Sequence, residues 1–121
     1  MNEDFVTYEL AVKLKEKGFR EKVNAYYGKH ENIFEIHPAL DMNDADYRAS
    51  APTISQVLKW LRNEKKIYCL PYFEQGIDMW LYAICKPAYG CEFPEFISES
   101  IYDSYEQAAL AGIEYVLDNL I

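Results

Sequence analysis

Apolar residues along this chain recur in two rhythms. Leu10, Ala11 and Leu14 fall on one face at helical spacing, and the flanking signals agree with a helix. Thr7 stands where a cap is wanted, and Glu9 places a carboxylate in the first turn, where the backbone dipole favours it. Lys13, Lys15 and Lys17 crowd the far end, Gly18 follows, and Phe19 is placed to fold back onto Leu14. A helix over 8–17 is predicted. Ile54, Val57, Leu58 and Leu61 repeat the i, i+3, i+4, i+7 pattern behind Pro52, which reads as a first helical position. Trp60 lies off that stripe, so it either widens the buried face or marks a contact surface. A third helix opens at Ser104-Tyr-Glu-Gln107, a capping-box pattern, and runs apolar from Ala108 to Leu120. Gly112 within it predicts close approach of another backbone.

The second rhythm is the two-residue alternation of strands. Val23–Tyr27 and Ile33–Ile36 flank a polar, Gly-containing break and read as a hairpin, with Pro38 ending the second strand. Ile67–Phe73 and Met79–Cys85 make a second hairpin, in which Pro71 marks an edge strand or a bulge because it has no N–H to donate. The stretches 39–51 and 86–103 read as loops. The expected architecture is α+β, three helices packed on a small antiparallel sheet built from two hairpins, in the order α-ββ-α-ββ-α, within one domain spanning 1–121. Trp80, Tyr82 and Ile84 share one face of the last strand; Met79, Leu81, Ala83 and Cys85 share the other. Both faces are therefore apolar, and three helices are few to cover both, which favours a homodimer.

Charge changes this picture more than size does. The chain has 121 residues and a formal charge of -8. Residues 1–66 hold 11 of the 12 basic residues and 11 acidic ones, so the whole excess lies in 67–121, where Lys86 faces nine acids. Such a field repels phosphate backbones and anionic membranes, so nucleic-acid and membrane binding are not expected. No apolar run reaches membrane-span length, and the acidic start Met-Asn-Glu-Asp lacks a secretory pattern, so a cytoplasmic setting is expected.

Candidate chemistry is sparse. Cys69, Cys85 and Cys91 are an odd number at spacings without a short metal clip, so thiols are expected rather than a disulfide framework or a zinc site. Asp41-Met-Asn-Asp-Ala-Asp46 fails as a calcium loop: its sixth position is Asp46 rather than Gly, and its twelfth is Pro52 rather than Glu. A turn built by Asp and Asn is the better account. His30 and His37 lie beside no nucleophile motif, and the five glycines form no phosphate-cradling loop. No catalytic residue, cofactor or metal is assigned, and the reading leans away from an enzyme.

Three segments resemble a group of small uncharacterised proteins, many encoded by phages and prophages of gut anaerobes. They are Val6-Thr-Tyr-Glu-Leu-Ala with Leu14-Lys-Glu-Lys-Gly-Phe19, Ala51-Pro-Thr with Gln56-Val-Leu-Lys-Trp-Leu-Arg62, and Tyr102 to Ala109. The resemblance implies a compact α+β fold and a phage or mobile-element accessory role, and it supplies no activity.

The 11 Tyr, 6 Phe and 2 Trp are the most unusual part of the composition. Tyr joins apolar area to a polar tip and is enriched where proteins meet. The expected function is therefore binding of a macromolecular partner, with a second copy among the candidates, through Trp80, Tyr82, Tyr89, Phe93 and Phe96. One alternative is an acidic inhibitor that mimics nucleic-acid charge, with Glu92, Glu95, Glu99 and Asp103 as its ridge. Another is a small-molecule binder or enzyme with a pocket under the 86–103 loop.

Overall fold

The computed structural model describes residues 4–86 and 96–121. Among these residues it is α+β, with three helices and two small antiparallel sheets of three strands each. Two separate sheets replace the single one expected: the two hairpins do not pair with each other, and each takes a short third strand from a stretch that reads as loop in the sequence. The chain divides into two compact units, Met1–Thr53 and Ile54–Ile121.

In the first unit, helix α1 (Tyr8–Glu16) starts as the sequence predicts, with the Thr7 hydroxyl accepting a hydrogen bond from the Leu10 N–H. It stops at Gly18, whose φ of +88° lets the Phe19 N–H reach the Leu14 carbonyl at 3.0 Å. Phe19 is fully buried there. The sheet has the order β2-β1-β3, from β1 (Val23–Tyr27), β2 (Ile33–Leu40) and β3 (Ala49–Ser50). Strand β2 does not end at Pro38. It continues to Leu40 through a cis His37–Pro38 bond, with a register shift between Val23 and Ala25 on the facing strand. The segment before β3 is the Asp/Asn turn the sequence suggests. Asp41 accepts from the Asn43 N–H, while buried Asn43 donates to the Phe19 carbonyl and accepts from the Ser50 N–H.

In the second unit, helix α2 (Ile54–Trp60) runs into a π-helical turn over Leu61–Lys65, closed by Lys66 at a φ of 57°. Pro52 is not its first helical residue. It lies ahead of the helix, where its carbonyl accepts the Val6 N–H. Trp60 is buried, so it widens the core face. Strands β4 (Tyr68–Glu74), β5 (Met79–Cys85) and β6 (Phe96–Ile97) follow, in the order β4-β5-β6. Pro71 thus sits on an edge strand, as its missing donor requires. Helix α3 (Tyr105–Asn119) is capped by Ser104, which accepts from the Gln107 N–H, while the Gln107 side chain accepts from the Asp103 N–H.

Candidate interaction surface

Pairing Cys69 with Ile84, Pro71 with Tyr82 and Phe73 with Trp80 puts these six side chains on one face of the second sheet. Helix α3 covers most of that face, leaving Phe73 43% exposed at the turn end. At Gly112 the helix comes so close that a Cβ would lie 2.5 Å from Cys69 Sγ and 3.1 Å from the Tyr82 ring. The close approach expected at Gly112 is therefore real, but it is made by side chains of β4 and β5 rather than by another backbone.

The aromatic residues concentrate on this covered face. Phe96 stacks on Tyr115 with ring centroids 4.2 Å apart, and Tyr82 lies among Phe96, Tyr102 and Tyr115 at 6.0 to 6.3 Å. Trp80 meets Phe73 and Tyr105 edge-on at 5.5 and 5.6 Å. Tyr82 is 6% exposed, and burial pushes its phenol up to about 12; the nearby Tyr102, Cys69, Tyr115 and Glu114 add to the rise. Of the aromatic residues expected to bind a partner, Tyr82 is thus a core residue. Trp80 and Phe96 are half-buried against the same helix. Tyr89 and Phe93 lie outside the described residues. Alternation along β5 could not distinguish these faces, because both are apolar; α3 decided which one was covered.

The opposite face carries Tyr68, Leu70, Tyr72, Met79, Leu81, Ala83 and Cys85, with Ile97 added by β6 opposite Ala83. Ala83 and Cys85, toward the open end, are buried; Tyr68 is 37%, Leu70 44% and Ile97 48% exposed, and Tyr72, Met79 and Leu81 are half-buried. Among the described side chains of the three strands, the one charged residue on this face is Glu74, at the turn end. The six exposed or half-buried side chains present apolar area on the order of 350–400 Å², taking about 200 Å² for a large side chain. A standard interface uses about 800 Å² per partner, a little over half of it apolar. This face supplies most of that apolar requirement.

The ends of the hairpin differ in charge. Lys66 and Lys86 flank its open end, whereas Glu74 and Asp78 lie at its turn. Of the four acids expected to form a ridge, Glu99 and Asp103 are exposed, and Glu92 and Glu95 lie outside the described residues.

The cysteines divide. Cys69 is a free, buried thiol, pushed up to about 12 by burial. Cys85 corrects the expectation of thiols throughout, because it is disulfide-bonded. It opposes Tyr68, so it lies on the other face of the sheet from Cys69. A disulfide is the chemistry of an oxidising compartment. Among the described residues, no three His, Cys, Asp or Glu converge as metal ligands would, and no helix is long and apolar enough to cross a membrane.

No family model, curated protein or solved structure matches this chain.

Proposed function

We propose that this chain is a protein-binding domain without catalytic activity, and that the half-exposed part of the β4-β5-β6 sheet face turned away from α3 is its interface, occupied by a second copy. The half-exposed row Tyr68, Leu70, Tyr72, Leu81 and Ile97 carries this reading. Charge supports a second copy as the occupant. A two-fold axis lying in the interface and across the strands sets the Lys66 and Lys86 end of one hairpin over the Glu74 and Asp78 end of the other. The phage-borne setting rests on motif resemblance, and the Cys85 disulfide speaks against the cytoplasmic setting expected from the sequence.

Light scattering on the eluting protein tests the interface. The expected mass is about twice the 14.2 kDa of the chain. Leu70→Asp should return it to the monomer with an unchanged circular dichroism spectrum, and Glu74→Lys with Asp78→Lys should weaken pairing. A wild-type monomer at about millimolar concentration, or a Leu70→Asp protein that still pairs, would overturn the reading.

A further inference from the structure

The aromatic cluster under α3 breaks the surface at the turn end of the second hairpin. Phe73 and Tyr105 are exposed there, and Trp80 is half-buried. The Trp80 ring meets both others, Phe73 at 5.5 Å and 62° and Tyr105 at 5.6 Å and 86°. Planes so steeply inclined make a corner rather than a flat patch. The backbone holds it in place: Trp80 and Tyr102 exchange hydrogen bonds of 2.9 and 2.8 Å, tying the approach to α3 onto β5, and Phe73 pairs with Trp80 across the hairpin.

The charge around this corner has one sign. Asp103 and Glu106 flank Tyr105 along the chain, and Glu74 and Asp78 bound the hairpin turn, Glu74 on the other face of the sheet. Across 67–121 the one base is Lys86, six residues along the strand from Trp80 and so about 20 Å away. Among the described residues, none of the four acids pairs with a base. The positive end of α3 does not cancel this field, because Ser104 takes the Gln107 N–H and the two flanking carboxylates offset the dipole.

A ring face attracts cations, and two other rings of this chain already hold one. Lys65 lies 5.3 Å from the Trp60 ring and Arg48 5.4 Å from that of Tyr47. The Trp80 corner has the rings and the carboxylates, and among the described residues no cation of the chain lies over it.

We propose that this corner docks a basic segment of a partner protein, with one arginine seated against Trp80 and Tyr105. A guanidinium is planar, so it lies flat on one ring while its N–H edge turns toward the carboxylates of Asp103 and Glu106. A quaternary ammonium has no N–H to offer them. A free small cation needs an enclosing pocket, whereas these three rings reach solvent. The arginine is therefore carried on a chain, whose further basic residues meet the remaining acids of this half. The site lies on the α3 side of the sheet, opposite the face proposed to pair, and needs no second copy.

Amide-shift titration of the full chain with hexaarginine, hexalysine, hexacitrulline and tetramethylammonium tests this assignment. Hexacitrulline keeps the shape of arginine without its charge. Saturable shifts at Phe73, the Trp80 indole and Tyr105 are expected with hexaarginine. Hexalysine should bind at least about threefold more weakly, and the other two should not saturate by about 10 mM. Tyr105→Leu, at an exposed position, should weaken hexaarginine several-fold and erase its advantage over hexalysine. Asp103→Asn with Glu106→Gln should weaken both peptides. The proposal is overturned if hexalysine or hexacitrulline matches hexaarginine, if the shifts avoid the three rings, or if tetramethylammonium alone saturates the site. It is also overturned if Tyr105→Leu, folded by circular dichroism, leaves affinity unchanged. The peptide comparison uses the unaltered chain, so it decides even where a variant fails to fold.

Discussion

Substituting Gly112 by alanine tests the contact that joins α3 to the second sheet. In an exposed helix the change would stabilise by about 1 kcal/mol, because glycine is the poorer helix former. Here the new Cβ would meet Cys69 Sγ at 2.5 Å and two atoms of the Tyr82 ring at 3.1 and 3.2 Å. Ordinary contacts between such atoms lie near 3.5–4.0 Å, so helix and sheet must part by about 1 Å or a buried side chain must leave its rotamer. Overpacking of this kind costs about 1–3 kcal/mol, which matches or outweighs the helical gain. The expected net loss is about 0–2 kcal/mol, or up to roughly 10 °C in Tm for a domain of this size. Repeating the change in a Cys69→Ala background removes the nearest atom, and Gly112→Ala should then become neutral or stabilising, a coupling of about 1–3 kcal/mol. Urea unfolding followed by tryptophan fluorescence reads the effect, since Trp60 and Trp80 both lie in this unit. Equal destabilisation in the two backgrounds would refute the steric argument, as would stabilisation in the wild type.

Gly18→Ala should also destabilise, by about 1 kcal/mol, for the opposite reason. Its Cβ meets nothing within 4 Å, so the whole effect comes from the φ of +88°, and Gly18→Asn should recover part of it in thermal unfolding. At alkaline pH, Cys69 and Tyr82 each keep a proton to about 12 in the folded chain. The unfolded chain gives these protons up near 8.5 and 10, so stability should fall from about pH 9 upward, by about 1.4 kcal/mol per pH unit for each group once it titrates. Below about pH 8 neither group contributes a slope. Cys69→Ala should flatten the decline between about pH 9 and 10 in urea titrations, and an unchanged slope there would contradict the burial argument.

What the sequence makes legible here is what local chemistry decides. Thr7, Gly18 and Ser104 mark helix ends because caps act within a few residues. The cores of both hairpins are readable from alternation, and Pro71 correctly marks an edge. Strands β3 and β6 are not, because two-residue strands have no period; partner strands define them. The same limit blurs the interaction surface. Tyr82 and Leu81 are adjacent and both apolar, and only the long-range placement of α3 makes Tyr82 core and leaves Leu81 half-covered. Signals for the inner face were nevertheless present, since Gly112, Tyr105 and Tyr115 stand on one apolar helix.

Pro71 has one more effect, on how far association can go. An exposed strand normally offers a row of free N–H and C=O groups on which further strands can grow without limit. On β4 that row is broken near its middle by a residue with no donor, and at the other edge β6 is two residues long. Neither margin is a good template, so this sheet resists open-ended, fibre-like extension. The proposed pairing of two copies through the flat face, by contrast, would close on itself about its two-fold axis and give a finite particle rather than a polymer.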